Sequence, residues 1–202
     1  MKRTKPTPGT AFSALTSDGR KSHKAIKLGG EALLKHSSPE MEVYFSHPQK
    51  KRPPSTFAAA ILMPIFLALF VINSQTIINF FDLTAESSSI ISLSTMLISS
   101  IFLGPIPYCL GRGNVWGLLL IHYFYSFNLS MSPIAICIMV SEIIKSRALA
   151  PHFIVLAMLL SLIFLCSKII NGKSFNKMVR FYANRRIALK ALQVRGHITN
   201  KS

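Results

Sequence analysis

The stretch HFIVLAMLLSLIFLCSKII, residues 152–170, decides how the chain is read. It holds one charged side chain, Lys168, near its end, where a long stem lets the ammonium snorkel to water. A helix needs about 20 apolar residues to cross roughly 30 Å of hydrocarbon, and this run meets that need. A surface helix of a soluble protein carries a polar face along its length. This stretch has no such face.

Three further runs of the same kind lie upstream, at residues 57–81, 90–110 and 115–144. FAAAILMPIFLALFVI, residues 57–72, is slightly short and reaches spanning length only by continuing toward Phe81. Pro64 near its centre predicts a kink, which neighbouring groups in a membrane tolerate. Charge is segregated. Residues 1–56 hold 15 charged side chains, whereas residues 57–111 hold two, Asp82 and Glu86. Of the 23 Lys and Arg, 11 precede Phe57 and nine fall from Lys168 onward. Cations flanking apolar spans are retained on the cytoplasmic side. The segment joining the first two runs has no Lys or Arg and is predicted to face away from it.

The run at 115–144 admits two readings, because Asn128-Leu-Ser-Met-Ser-Pro133 is polar for its depth. One is a single long helix kinked before Pro133. The other is two short arms meeting near 128–133. Two arms would carry the nine-cation end to the outer side, so the single span violates the orientation rule less. The predicted fold is therefore all-α: a polytopic integral membrane protein with four transmembrane helices and both termini cytoplasmic. No signal peptide precedes the first run, which is expected to act as an uncleaved anchor.

Residues 1–56 read as a basic, mostly disordered cytoplasmic tail. At most one short amphipathic helix is expected, over 22–35, interrupted by Gly29-Gly30 at about 1 kcal/mol per Gly. Lys50, Lys51 and Arg52 would lie at head-group level. Residues 172–202 form a second basic tail in which cations alternate with Phe175, Met178, Val179 and Ile187. That pattern predicts an interfacial helix, its apolar face in the acyl boundary and Lys177, Arg180, Arg185 and Arg186 on lipid phosphates. A net charge of +16 also suits nucleic acid, but no binding motif accompanies it. Anionic lipid is the preferred partner of these cations.

Ser92, Ser94, Ser99 and Ser100 mark the second run. They either let helices approach closely or bond back to their own carbonyls. Two Pro and three Gly in residues 104–113 predict a tight turn, with Arg112 its only charge and Tyr108 and Trp116 bracketing it as interfacial rings. The turn Phe102-Leu-Gly-Pro-Ile-Pro-Tyr, followed by Arg112 and a new span, resembles part of an uncharacterised family of small bacterial inner-membrane proteins. The basic stretch over residues 176–190 also resembles that family's C-terminal end. Its Tyr-Arg-Lys-Met element is replaced here by residues 109–113, and the resemblance implies no activity.

Ionisable groups at bilayer depth cost roughly 2.5–3.5 kcal/mol on insertion scales, so each marks a candidate site. His122, Tyr125 and Asn128 form the most polar patch of the third run, and Glu142 lies near its outer end, three residues before Lys145. His122 either lines a proton or solute route or holds helices together by a hydrogen bond. The second reading is preferred, because no further Asp, Glu or Lys lies at that depth. Cys109, Cys137 and Cys166 lie singly in apolar segments and read as small hydrophobes, with no metal or cofactor implied. No HExxH, GxSxG, Walker A or GxGxxG sequence occurs. The expectation is a non-enzymatic bacterial inner-membrane protein acting through contacts with other membrane proteins or with itself. The alternative is a small oligomeric transporter or channel subunit with its route near His122 and Asn128.

Overall fold

The computed structural model describes residues 10–46, 54, 56–145 and 149–199. Every element among them is an α-helix: α1 (Thr10–Leu28), α2 (Gly30–His36), α3 (Pro39–Ser46), α4 (Phe57–Phe80), α5 (Ala85–Leu103), α6 (Pro105–Gly111), α7 (Val115–Lys145), α8 (Leu149–Ile170) and α9 (Lys173–Thr199). Among the described residues, four stretches are long and apolar enough to cross a membrane: Phe57–Phe80, Ala85–Gly111, Val115–Lys145 and Pro151–Ile170. The region around Pro133 is one continuous helix of 31 residues, not two arms. At 1.5 Å per residue it is about 46 Å long, more than the hydrocarbon thickness of a bilayer.

The helices divide into two compact units. The first comprises Met1–Ala58, Ile106–Leu119 and Ile170–Ser202. Its organiser is α9, which buries Phe175, Met178 and Val179 and, three turns on, Ile187, Ala188 and Ala191. These residues recur at helical spacing and so make one apolar stripe. Helices α1, α2 and α3 all pack against α9. Phe12 of α1 meets Phe175 with ring centroids 6.4 Å apart, and Phe45 of α3 meets Phe181 edge-on at 5.4 Å. Leu33 of α2 closes over Ile187 and Ala191. The side-chain oxygen of Asn171 accepts the Phe12 N–H at 3.3 Å, satisfying a donor that the first turn of α1 leaves free.

This unit corrects three expectations. The N-terminal region was predicted to be mostly disordered with at most one short amphipathic helix, and instead forms three helices over residues 10–46. Gly29 and Gly30 do interrupt them, with φ of 66° and 51°, a left-handed pair that glycine adopts at little steric cost. The third helix starts on a strong signal: the Ser38 hydroxyl accepts the Met41 N–H at 3.2 Å, Pro39 occupies the first position, and Glu40 and Glu42 follow. Second, the apolar face of α9 lies against protein and not in an acyl boundary, because α1–α3 supply a partner for it. Third, α6 is helical where a turn over 104–113 was predicted. Both prolines fall in its first turn, where a missing N–H costs no intrahelical bond. The break is confined to Arg112–Asn114. The Asn114 N–H donates to the Cys109 carbonyl at 2.8 Å and the Gly113 N–H to that of Leu110 at 2.9 Å, a Schellman stop with Gly113 at φ 63°.

The second unit comprises Ala59–Pro105 and Leu120–Ile169. Its core is a stripe on α4 (Leu62, Phe66, Leu69, Phe70, Asn73, Ile78) and one on α7 (Ile121, Asn128, Ser132, Ala135, Met139). The α7 positions are separated by seven, four, three and four residues, the repeat that keeps one narrow seam facing a partner helix. Thr84 caps α5, its hydroxyl accepting the Ser87 N–H at 3.3 Å. Along α5 the side facing the rest of the chain carries Ser88, Ser92, Thr95 and Ser99. Ser92, Thr95 and Ser99 also bond to carbonyls of their own helix. Back-bonding to the same helix is therefore what these hydroxyls show.

Candidate functional site

Apolar residues surround one polar rung in the second unit. Asn73 of α4 and Asn128 and Ser132 of α7 are almost fully buried. The Asn73 amide NH₂ donates to the Ser132 hydroxyl at 3.2 Å and to the Asn128 backbone carbonyl at 3.4 Å. Ser132 donates to that same carbonyl at 2.8 Å, and the Asn128 amide donates to the Phe124 carbonyl at 2.9 Å. Both side-chain amide nitrogens thus donate, while the two side-chain amide oxygens, and the Ser74 hydroxyl, have no partner. On one side of the rung Phe66 and Phe70 pack on Phe124, with centroids 5.6 and 5.5 Å apart, and Phe70 also meets Phe127 at 6.2 Å. The rung is a helix-to-helix fastener with two spare acceptors and no titrating group.

The candidate residues read from sequence separate along α7. Asn128 is in the rung. Tyr125 leans on Phe66, with centroids 6.3 Å apart. His122 is half-buried beside Tyr123, with centroids at 5.9 Å. Glu142 pairs with Lys145 at 3.9 Å, one helical turn away. From His122 to Glu142 the helix rises about 30 Å, so these residues do not form one site. Asn73, the partner that completes the rung, lies within the 57–81 run and was not among the candidate residues. An apolar cavity of about 480 Å³ opens beside Phe70, Phe102, Phe124 and Phe127, with Ser99 and Tyr123 its polar contributors. The cysteines are unpaired, Cys166 buried and Cys137 exposed. Among the described residues no three His, Cys, Asp or Glu come together.

The basic candidates belong to the first unit. Lys50, Lys51 and Arg52 lie outside the described residues. Lys177 and Arg185 are exposed on α9. Arg180 reaches Asp18 at 4.0 Å with both side chains more than half exposed, a pair of little energetic weight. Arg186 is half-buried and donates to the Gly113 carbonyl at 3.5 Å. Arg195 pairs with Glu42 at 2.9 Å, and Glu42 is the buried partner.

No family model, curated protein or solved structure matches the chain.

Proposed function

We propose that this protein spans a bacterial inner membrane four times, with both ends on the cytoplasmic side, and works by binding other proteins and not by catalysis. The observation that carries this reading is the contrast between the two units. In the spans, burial by the chain itself is slight: 17% of the apolar stretch of Ala85–Gly111 and of Pro151–Ile170, against 39% for Phe57–Phe80. Uncovered apolar surface on that scale needs lipid or a partner helix. Helices α1, α2, α3 and α9, by contrast, make a packed body studded with exposed cations. Such a body has the means to dock a partner or an anionic head group. The loop after α4 holds Asp82 and no cation, which supports placing it outside. Crosslinking in native membranes tests the reading. Discrete crosslinked species containing a second polypeptide are expected. Recovery of the isolated monomer alone contradicts it.

The spare amide oxygens of Asn73 and Asn128 favour a second reading, a small oligomeric transporter or channel subunit. Against it, the cavity beside the rung is lined mainly by aromatic and aliphatic side chains, which offer a solute few polar stepping stones. Flux in proteoliposomes that survives Asn73→Ala and Asn128→Ala removes this alternative.

A further inference from the structure

A cleft of about 500 Å³ lies where α6 turns into α7 and α9 passes alongside. Arg112 and Asn114 line it from the turn, and Tyr182, Arg185, Arg186 and Lys190 line it from α9. Four cations surround the opening, and no carboxylate lines it. Its volume lies within the roughly 300–1,000 Å³ of small-molecule sites. Two of the cations are held in place. The Arg112 guanidinium sits over the Tyr108 ring at 4.6 Å, and Arg186 is tied to the Gly113 carbonyl. The approach of α9 depends on Gly113, because a Cβ there would fall on the carbonyl oxygen of Tyr182.

From this geometry we infer that the cleft is a binding site for the head group of an anionic phospholipid, with two phosphate groups matching its four cations. The inference rests on the membrane reading above and gives the first unit a specific ligand. Guanidinium groups bind phosphate oxygens in bidentate fashion, and an uncompensated cluster of them favours a multiply charged anion. The location selects lipid over a soluble phosphate. Gly111 ends one membrane-length stretch and Val115 begins the next, so the turn that lines the cleft falls at head-group level once those stretches are inserted. Tyr108 and Trp116, both exposed, flank the turn as aromatic rings do at a membrane interface. Basic pockets at the cytoplasmic ends of spans are the usual seats for such head groups.

The test uses the full chain in mild detergent and counts bound lipid by native mass spectrometry. The probes are cardiolipin, with two phosphates, phosphatidylglycerol, with one, and zwitterionic phosphatidylcholine. Pyrophosphate serves as the soluble competitor. One tightly held cardiolipin per chain is expected. The double variant R112Q/K190Q, whose side chains are exposed, should weaken it about 25-fold, at about fivefold per cation. The control K24Q/K35Q, equally exposed but on α1 and α2, should leave it unchanged, with helicity by circular dichroism intact in both. Equal weakening by the control would reduce the site to diffuse basic charge and overturn the proposal. So would phosphatidylcholine binding as tightly as cardiolipin. Equal binding of phosphatidylglycerol overturns the two-phosphate match, and displacement by pyrophosphate at comparable concentration overturns the lipid source. A chain that needs detergent yet retains no lipid sinks the site alone. A chain that stays dissolved without detergent sinks the membrane reading on which the site rests.

Discussion

Two residues show how much a single position can carry here. Gly113 combines a left-handed backbone with contact against Tyr182 of α9. In Gly113→Ala the left-handed conformation costs about 1–2 kcal/mol, and the displaced helix about 1–3 kcal/mol more. Thermal unfolding followed by circular dichroism should show the α9-centred unit melting earlier than in the parent protein. An unchanged midpoint would mean that the turn and α9 are not in contact. Asn73 behaves differently. Its hydrogen bonds to α7 lie in an apolar interior, but such bonds average about 0.6 kcal/mol in membrane proteins. One of its two polar atoms also has no partner. Asn73→Leu should therefore cost under about 1 kcal/mol in detergent-mediated unfolding. A loss of about 3 kcal/mol or more would show that the rung is a larger part of the fold than its geometry implies. Of this pair, Asn128 could be singled out from sequence, because a polar group inside an apolar run is visible locally. Asn73 is just as visible inside the first run, but its bond to α7 depends on a partner 55 residues away, which no local pattern shows.

At the scale of elements, the four helices long and apolar enough to cross a membrane were legible and most of the helical structure before them was not. Lipid as solvent demands only length and apolar composition, which can be read without knowing any neighbour. The stripe of α1 has few large apolar side chains: Phe12 and Leu15 anchor it, and Gly19 comes one turn later, where Val115 and Leu118 approach. It becomes convincing only against α9. The Ser38-Pro39-Glu40 start of α3 was available in the sequence as a helix signal. The helix it opens provides an energetic test through Glu42 and Arg195. Removing one partner of a pair with a buried member leaves that charge uncompensated, whereas replacing both by apolar residues is often neutral. Arg195→Met should lower stability, and Glu42→Met together with Arg195→Met should recover most of the loss. Because Arg195 is half exposed, the single loss should be below the 3–5 kcal/mol of fully buried pairs. A double variant less stable than the single would contradict this account of the α3–α9 contact.

For the whole molecule, the count of four apolar stretches and the cations at both ends give a topology that labelling can check. With the native cysteines replaced, Thr84→Cys should react with a membrane-impermeant maleimide in intact cells, and Arg112→Cys only after the membrane is opened. The opposite pattern would reverse the orientation. The apolar stripe of the C-terminal tail, expected to face acyl chains, packs on α1–α3 for a physical reason. An amphipathic stripe does not state which apolar surface it faces, and α1–α3 compete with lipid for it. Every functional inference rests on the proposal that lipid surrounds the four stretches. Washing native membranes with alkaline carbonate tests this most directly, because it strips proteins held by charge and leaves those threaded through the bilayer. The chain is expected to stay in the membrane pellet, and its release into the supernatant would show that lipid does not surround the four stretches.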